Sequence, residues 1–420
     1  MQPRIQLAAW LLAPFFALAL TACSDSTPPQ ANATELAVPL GDSPADSRSD
    51  LSGGLGGTSS AVKPPPIPAA PQINARGYIL MDFVSGQVLA ATNENERLEP
   101  ASLTKLMSAY AVFHALKDGR IKLDDPVRIS TYARAQEGSR MFVEAGSLVS
   151  VEDLIQGMIV QSGNDATVAL AEHVAGSDPV FVDLMNQYAR QLGMTSTHFQ
   201  NSPGMPSPEH YTTSRDIGLL AAALIRDYPE YYHWYSQRAF TWNRISQPNR
   251  NGLLERDPSV DGLKTGHTES AGYCLVTSAK RDTMRLVSVV MGAPSMRARE
   301  DASAALLNYG FGFYQTRRLY AANAPVISLR TWKGRVNEAV LGVQRDVYAT
   351  FGRGQEHLLK VFVDVREPLI APLEHGAAVG QLRVMLGDQQ LGAYALHPTA
   401  DVPQAGLFGR LIDGMKLWMH

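Results

Sequence analysis

The sequence has little cysteine: its 420 residues contain only Cys23 and Cys274. Two thiols cannot form a disulfide framework or a thiolate zinc cluster. The ten histidines form no His-Glu-x-x-His pairing, and the glycines form no nucleotide-binding fingerprint. We therefore expect this protein to need no metal and no cofactor.

The sequence also lacks an excess of charge of either sign. Its 37 Lys and Arg residues and 40 Asp and Glu residues give a formal net charge of −3, and no cluster of five or more basic residues occurs. Nucleic acid is therefore not an expected partner. Apolar residues make up 45% of the chain, which is enough for an ordinary core, and this length predicts two or three folded units.

Aromatic residues are missing from the stretch 24–72, where proline, glycine and serine recur. Such a segment cannot bury enough apolar surface to offset the entropy that is lost on ordering. We therefore predict that residues 23–72 form a disordered tether. Its length would be about 150 Å when fully extended and about 40 Å as a flexible coil.

A long apolar run is missing as well, because the N-terminal apolar stretch 7–20 is too short to span a membrane. This stretch predicts an export signal over residues 1–22. It ends in Leu-Thr-Ala-Cys, which resembles the bacterial lipoprotein signal, in which the cysteine, here Cys23, is acylated. The alternative is a plain secretory signal in which Cys23 has no role. Both interpretations place the mature chain in the cell envelope.

Hydrophobic periodicity predicts the elements of a first folded domain over residues 73–315. Apolar positions around the turn Ser85-Gly86 are typical of a β-hairpin. The predicted strands are 78–83, 88–91, 272–278 and 286–291. Apolar spacings of three and four predict helices over 103–116, 151–161, 165–175, 178–192, 214–227 and 300–309. Strands at both ends with helices between them indicate an α+β domain, in which an antiparallel sheet carries a helical insertion.

The remaining sequence predicts two further units. Alternating runs over 359–365 and 381–386 indicate a small all-β domain over residues 316–404. Residues 405–420 predict an amphipathic helix, whose apolar face is formed by Phe408, Leu411, Ile412, Met415 and Met419. Such a helix is too short to span a membrane but can lie in its interface. The alternative is a terminal helix that docks on its own domain.

The first motif with chemical meaning is Ser102-Leu103-Thr104-Lys105, at the predicted start of a helix. Side chains three residues apart share a helix face, about 5–6 Å apart at their Cβ atoms. A neutral lysine amine can take the proton of a serine hydroxyl, and a helix N-terminus favours the anion that develops. Alone, this motif is weak, because Ser-x-x-Lys occurs by chance on many helices.

Two more motifs complete the set. Ser162-Gly163-Asn164 lies at a predicted break between helices and offers a hydroxyl for proton relay and an amide for orientation. Lys264-Thr265-Gly266 lies just before a predicted strand. It offers a cation, a hydroxyl and, in Gly266, a residue small enough for a substrate backbone to approach. Each tripeptide alone is also typical of an ordinary turn.

Together and in this order, the three motifs match those of the penicillin-recognising serine acyltransferases. From residue 73 onwards, the chain resembles the low-molecular-mass penicillin-binding proteins of the D-alanyl-D-alanine carboxypeptidase type. The stretches 250–254, 260–268 and 271–273 are also similar to that family, as are the β domain and the terminal helix. The resemblance implies a β-lactamase/transpeptidase-like fold for the first domain. The tether and Cys23 depart from the family pattern, in which a signal peptide is simply removed.

The resemblance implies a role for each motif residue. Ser102 would be acylated, with Lys105 as its base. Ser162 and Lys264 would form a proton relay around Lys105, and Asn164 would orient the substrate amide. A second ammonium close to Lys105 would also lower the pKa of its amine, because like charges disfavour each other.

The family also implies how the substrate is held. The backbone amides of Ser102 and His267 would form an oxyanion hole, where each donor can contribute a few kcal/mol to lowering the barrier. Thr265 would bind the terminal carboxylate of the substrate. Arg299 and Arg250 are candidates to assist there, and for each the alternative is a surface ion pair.

The implied function is a serine D-Ala-D-Ala carboxypeptidase that trims peptidoglycan pentapeptides and is acylated by β-lactams. Its partners would be peptidoglycan stem peptides, β-lactams and the membrane surface, in the periplasm. One alternative is a D,D-endopeptidase that cuts crosslinks, and another is a catalytically silent wall-binding scaffold, which the intact motifs disfavour. A class A β-lactamase is disfavoured because Gly163 stands where Ser-Asp-Asn is typical.

Overall fold

The computed structural model describes residues 33–38 and 67–419. The predicted signal, Cys23 and most of the predicted tether lie outside these ranges. The helices are α1 (Lys105–Lys117), α2 (Thr131–Arg134), α3 (Val151–Val160), α4 (Asn164–Ala175), α5 (Asp178–Gln191), α6 (Ser214–Asp227), α7 (Leu253–Arg256), α8 (Met296–Phe313) and α9 (Leu407–Trp418).

The strands of the first domain are β2 (Gly77–Asp82), β3 (Val88–Thr92), β4 (Pro126–Arg128), β5 (Leu148–Ser150), β6 (Ala239–Trp242), β7 (Ile245–Pro248), β8 (Val260–Thr268), β9 (Gly272–Arg281) and β10 (Met284–Ala293). The remaining strands are β1 (Ala33–Leu36), β11 (Tyr314–Tyr320), β12 (Pro325–Trp332), β13 (Glu338–Gly342), β14 (Val347–Gly352), β15 (Leu359–Val365), β16 (Leu369–Ile370), β17 (Gly380–Leu386) and β18 (Gln389–Pro398).

The first domain is built on a five-stranded antiparallel sheet with the order β3-β2-β10-β9-β8. Alternate residues of its strands point to opposite faces, so that Ile79 and Met81 contribute to one core while Tyr78 and Leu80 contribute to the other. The helices α1 to α6 cover the first face, and α7 and α8 cover the second. This α+β arrangement confirms the fold class that the sequence predicts.

The helix starts agree with local sequence signals. The hydroxyl oxygens of Ser150, Thr213 and Ser295 accept the backbone N–H of Asp153, Asp216 and Ala298, at the first turns of α3, α6 and α8. Such caps satisfy donors that a helix leaves unpaired at its start. The predicted helices over 151–227 therefore agree with the observed ones to within a few residues.

The second domain is all-β, as the sequence predicts. Its main sheet has the order β1-β15-β17-β18-β13-β12-β16, and β11 pairs separately with β14. The alternating runs that predict β15 and β17 place Val361, Val363, Leu382 and Val384 in its core. Since β11 begins at Tyr314 and pairs with β14, this domain starts slightly before residue 316.

The structure corrects the prediction of a tether without structure over 23–72 in two places. Residues 33–36 form β1, which pairs antiparallel with β15, and Leu36 packs against the β-domain core. Glu35 and Lys360 form an ion pair at 3.1 Å across this edge. Farther along, Ile67 and Ala70 pack beneath α8. Backbone pairing and a few apolar contacts are enough here, although neither segment contains an aromatic residue.

The strand β8 is a second difference from the sequence-based prediction, because Lys264-Thr265-Gly266 lie inside it and not before a strand. This strand carries two glycines and a buried lysine, and it therefore shows no clear alternation of apolar and polar residues.

A buried polar network joins the two domains. The carboxyl group of Asp82 accepts the backbone N–H and the hydroxyl of Ser85, both at 2.8 Å. Its second oxygen accepts the hydroxyl of Thr316 from β11 at 2.7 Å. Thr350 of β14 contacts the hydroxyls of both Ser85 and Thr316. Because Asp82 is fully buried, each of these donors offsets the cost of removing its carboxyl group from water.

We expect Thr316→Val to lower the free energy of unfolding by about 1–3 kcal/mol, because it leaves one oxygen of a buried carboxyl group without its donor. The measurement is urea denaturation of the wild type and the variant. Ser328→Ala is the matched control, since it removes an exposed hydroxyl that donates to Glu338. An equal effect of both substitutions would show that the interdomain network adds no stability.

The terminal helix α9 leaves its apolar side uncovered. Leu407, Phe408, Leu411, Met415 and Trp418 are all more than 60% exposed. On its polar side, Asp413 accepts the backbone N–H of Lys333 from the β domain at 2.7 Å. In the described part of the chain, no helix combines the length and the hydropathy needed to cross a bilayer.

Candidate active site

A cavity of about 410 Å³ opens where β8 meets the start of α1 and the turn before α4. Its lining contains most of the residues that the three motifs single out. The lining residues are Ser102, Gly138, Ser139, Ser162, Arg250, Thr265, Gly266, His267, Tyr273, Met296 and Arg299. The fold thus brings together residues that lie more than 160 positions apart in the sequence.

Ser102 lies in a short 3₁₀ helix, Ala101–Thr104, directly before α1. The residue before it, Ala101, has a φ of 47°, in the left-handed region that only glycine adopts without strain. This turn leaves the Ser102 side chain partly exposed and lining the cavity, whereas Leu103 and Thr104 are fully buried. The serine is therefore the member of this turn that a ligand can reach.

Lys105 is 1% exposed, and its amine contacts three oxygen atoms. Its Nζ lies 2.6 Å from Asn164 Oδ1, 2.6 Å from the carbonyl oxygen of Pro203 and 3.2 Å from Ser102 Oγ. Burial and, to a smaller extent, the nearby Arg250 cation lower the pKa of this amine from 10.5 to about 7, against a raising effect of Asp165. A substantial fraction of Lys105 is therefore neutral at neutral pH.

The three contacts of Lys105 define the direction of its lone pair. A neutral amine has two N–H bonds, and the two short contacts go to the oxygen atoms of Asn164 and Pro203, which can only accept. The hydroxyl of Ser102 can donate, so that the lone pair is left to accept its proton. This geometry is what a general base needs in order to activate a serine.

Ser162 and Asn164 flank the break between α3 and α4. Ser162 has a φ of 61°, and its buried hydroxyl has no hydrogen-bond partner among the described residues. Asn164 receives Lys105 on its oxygen, while its Nδ2 donates to the carbonyl oxygen of Glu137 at 2.6 Å. The amide of Asn164 is thus fixed by two neighbours, whereas the hydroxyl of Ser162 stays available to a ligand.

The strand β8 supplies Lys264, Thr265 and Gly266. Lys264 is 3% exposed, and its amine donates to the carbonyl oxygen of Thr265 at 3.1 Å. Burial lowers its pKa well below the usual value, and the nearby cations Lys105, Arg250 and Arg299 act in the same direction. A Cβ atom at Gly266 would lie 3.1 Å from the carbonyl oxygen of Pro100 and 3.3 Å from Leu103, so that a side chain there would press β8 away from the Ser102 turn.

From the sequence, we expect repulsion between the two amines of Lys105 and Lys264. This repulsion lowers the pKa of Lys264, and Arg250 is a further cation that, after burial, lowers the pKa of Lys105. Both lysines are deeply buried, so that burial is the main cause for each of them. A buried pair of amines holds its first proton much more readily than its second.

Two arginines and one histidine complete the cavity wall. Arg299 is 3% exposed and donates to the carbonyl oxygens of Gly266 at 3.2 Å and Cys274 at 3.3 Å. It is therefore a buried cation behind β8, not a member of a surface ion pair. Arg250 also lines the cavity, and burial lowers its pKa. The side chain of His267 is exposed and lies against Tyr273, with ring centroids 4.0 Å apart.

Several residues of the site belong to none of the three motifs. The carbonyl group of Pro203 is a backbone atom from a loop that follows α5, and no side-chain pattern reveals it. Gly138 and Ser139 come from a loop that Asp165 holds in place by accepting the backbone N–H of Met141 and Phe142 at 2.8 Å. Asp165, the acidic residue next to Asn164, is the one feature of the sequence that could have indicated this loop.

The site offers an activated hydroxyl, a second free hydroxyl and several cations around one cavity. This combination suits acyl transfer to serine on a substrate that carries a negative charge. Within residues 33–38 and 67–419, no group of three or more His, Cys, Asp and Glu side chains is arranged to hold a metal ion.

Comparison with known families covers both domains. A family model described as D-alanyl-D-alanine carboxypeptidase matches residues 64–295, and one described as penicillin-binding protein 5, C-terminal domain, matches residues 314–404. The D-alanyl-D-alanine carboxypeptidase DacC of Escherichia coli is 44% identical over 84% of this chain and 90% of that protein. DacA of Haemophilus influenzae is 42% identical over 83% and 90%.

Solved structures agree with these sequence matches. Penicillin-binding protein 5 of Haemophilus influenzae is 42% identical, with a TM-score of 0.78, over 80% of this chain and 99% of that structure. Penicillin-binding protein D2 of Listeria monocytogenes, solved in an ampicillin-bound form, is 29% identical with a TM-score of 0.52. This match covers 58% of the present chain and 100% of the Listeria structure.

We expect the amine of Lys105 to titrate with a midpoint near pH 7. The measurement is the pH dependence of its ¹³Cε chemical shift in protein labelled at lysine, with the signal assigned from Lys105→Met. Arg250→Gln should raise this midpoint, because it removes a cation that disfavours the ammonium form. Arg238→Gln is the control, since Arg238 is exposed and paired with Glu255. A midpoint above pH 9 in the wild type would contradict a neutral base.

Proposed function

The chain belongs to the D-alanyl-D-alanine carboxypeptidase family of serine peptidases, and we propose that Ser102 is its nucleophile and Lys105 the base. The protein is a serine-type carboxypeptidase that removes the terminal D-Ala of peptidoglycan pentapeptides, and β-lactams inhibit it covalently. The observation that carries the assignment of residues is the contact of Lys105 Nζ with Ser102 Oγ, while two acceptors hold its N–H bonds.

In the acylation step, Ser102 Oγ attacks the carbonyl carbon of the penultimate D-Ala, and its proton passes to Lys105 Nζ. The negative charge on the carbonyl oxygen is stabilised by the backbone N–H groups of Ser102 and His267. As the tetrahedral intermediate collapses, the C–N bond breaks and the terminal D-Ala leaves as an amine. The proton held on Lys105 reaches that amine through the hydroxyl of Ser162, which has no other partner in the described structure.

In the deacylation step, water attacks the ester carbon of acylated Ser102. The neutral amine of Lys105 takes a proton from this water, and the serine oxygen leaves and is reprotonated. The shortened stem peptide departs with a free carboxylate. The same base serves both halves of the reaction, since each half begins with the removal of a proton from an attacking hydroxyl.

The terminal carboxylate of the substrate lies on the β8 side of the cavity in this proposal. Thr265 donates its hydroxyl to the carboxylate, and Arg299 and Arg250 supply positive charge. Burial lowers the pKa of Arg299 and the nearby charge of Glu300 raises it, but Glu300 is paired with Arg256, and Arg299 itself forms no ion pair with a carboxylate among the described residues. A buried cation without a counter-ion favours an anionic ligand strongly.

We expect a penicillin to acylate Ser102, because a β-lactam carries a carboxylate and a reactive amide in the places of the D-Ala-D-Ala terminus. Ser102→Ala should show no covalent label, and Lys105→Arg should lose acylation by at least about a hundredfold. Arginine keeps the charge but does not deprotonate in proteins. Intact-mass spectrometry and peptide mapping measure the label and its position.

The control for these variants is Lys117→Arg, because Lys117 is exposed at the opposite end of α1 from Lys105 and contacts the backbone of Asp227, and neither residue lines the cavity. Its acylation rate should equal that of the wild type. Label on another residue would sink the assignment of Ser102. Normal acylation of Lys105→Arg would mean that another group removes the proton.

We further propose that both ends of the chain hold the enzyme at a membrane surface in the periplasm, with Cys23 acylated and α9 in the interface. The supporting observations are the lipoprotein-like signal and the exposed apolar side of α9, whose polar side contacts the β domain through Asp413. A helix of this length and amphipathic character binds reversibly, whereas an added lipid makes the attachment stable.

The strand β1 shortens the distance that can separate an acylated Cys23 from the folded protein. Since Ala33–Leu36 pairs with β15, only residues 24–32 separate Cys23 from the β domain. These residues span at most about 30 Å, not the 150 Å of a free tether. Both proposed membrane contacts therefore leave from the β domain.

We expect fractionation to separate the two anchors. Cys23→Ser protein should bind membranes weakly through α9, and protein lacking residues 406–420 should stay bound through its lipid. Protein with both changes should be soluble and turn over short peptides normally, because the cavity wall contains no residue of β1 or α9. Its activity on intact wall should fall, since tethering raises local concentration.

The wild type and these three variants are compared in membrane and soluble fractions, with turnover of a defined pentapeptide measured in each. Membrane binding of the double variant would contradict the assignment of the anchors. Loss of its short-peptide turnover would instead show that the ends are part of the catalytic unit.

A further inference from the structure

A buried histidine lies behind the Ser102 turn and outside the three motifs. His210 is 2% exposed, and both of its ring nitrogens have protein partners. Its Nδ1 lies 3.0 Å from the backbone nitrogen of Gln200, and its Nε2 lies 2.8 Å from Thr104 Oγ1. Neither contact is accounted for by the mechanism above.

The partners of His210 define its tautomer. The backbone N–H of Gln200 can only donate, so that Nδ1 accepts it and the proton of the neutral ring lies on Nε2. That N–H donates to Thr104 Oγ1, and the hydroxyl of Thr104 donates in turn to the carbonyl oxygen of Ala101 at 2.8 Å. The ring is neutral at neutral pH, because burial lowers its pKa to about 4, with smaller effects of His198 and Lys105.

This chain of hydrogen bonds ends on the peptide group that joins Ala101 to Ser102. The carbonyl oxygen of Ala101 and the N–H of Ser102 belong to one planar unit and point in opposite directions. Holding the oxygen therefore sets the direction of the N–H. The φ of 47° at Ala101 is unfavourable for an alanine, and such a conformation persists only where its surroundings hold it.

Gly204 packs closely against this carbonyl group and leaves it no room to move. A side chain at Gly204 would lie 2.0 Å from the oxygen of Ala101 and 2.8 Å from Thr104 Oγ1. The loop that contains Gly204 also supplies the carbonyl oxygen of Pro203 to Lys105. His210 lies in this same loop, between α5 and α6, and accepts the N–H of Gln200, so that its ring joins the loop to Thr104 in the Ser102 turn.

We propose that His210 is a positioning residue, which acts through Thr104 to hold the Ala101–Ser102 peptide so that the Ser102 N–H points into the oxyanion hole. The inference rests on the proposed role of Ser102. A hydrogen bond to the Ala101 oxygen also polarises the same peptide group, which strengthens its N–H as a donor. The side chains of His210 and Thr104 are buried and do not line the active-site cavity.

The test compares isosteric and conservative substitutions at both positions. Thr104→Val keeps the shape but removes the hydroxyl, and Thr104→Ser keeps the hydroxyl. His210→Phe removes both ring contacts, while His210→Gln keeps one donor and one acceptor. The readouts are kcat and KM on a defined peptide ending in D-Ala-D-Ala, and the rate constant for acylation by a fluorescent penicillin.

We expect Thr104→Val and His210→Phe to lower kcat by about tenfold to a hundredfold with little change in KM, as the weakening of an oxyanion donor does. Thr104→Ser and His210→Gln should recover most of this loss. His198→Gln is the matched control at a nearby, half-buried ring, which contacts the carbonyl oxygen of Glu209, and should equal the wild type.

Wild-type kcat in Thr104→Val would overturn the inference, as would equal losses in His210→Gln and His210→Phe. The Thr104 pair and the Gln variant decide the matter even if His210→Phe does not fold. Mapping of the penicillin label distinguishes a failure of the proposed nucleophile Ser102 from a failure of the proposed role of His210. Label away from Ser102 in the wild type contradicts the proposed function, whereas label on Ser102 with unaffected variants contradicts only the role of His210.

Discussion

The site depends on the burial of one lysine. An ammonium group removed from water is costly, and the structure meets this cost by letting Lys105 lose its proton near pH 7. The two acceptors at Asn164 and Pro203 then hold the neutral amine in one orientation. A more exposed lysine would keep its ordinary pKa and would be a poor base for Ser102, so that the depth of the core around α1 is itself part of the chemistry.

The need to bury Lys105 explains much of the surrounding architecture. The helices α1, α4 and α5 pack around it, and the sheet closes the remaining side through β8. Two departures from relaxed backbone geometry, at Ala101 and Ser162, lie at the cavity. The first places Ser102 beside Lys105, and the second places Ser162 at the cavity wall. Both positions are held by elements of the first domain. Strain at such positions is supported by the packing of the whole domain.

The β domain supplies no residue to the lining of the active-site cavity. It is joined to the first domain by the buried contacts of Asp82, and it carries the segment β1 on one edge and α9 at its end. These attachments fix where the chain ends leave the protein. In the membrane-bound arrangement proposed above, the β domain would set the distance between the cavity and the membrane surface.

The sequence alone determined the family, the α+β class, the all-β second domain and the three motifs, because each of these follows from local periodicity or from residue types at short spacing. Helices such as α3 to α6 were predictable, since their apolar spacing and their caps are local. Only the tertiary structure decided that the carbonyl oxygen of Pro203 and the cation Arg250 act on Lys105, that β8 is a strand and that residues 33–36 pair with β15. These depend on backbone atoms and on contacts between distant segments, which no short stretch of sequence encodes.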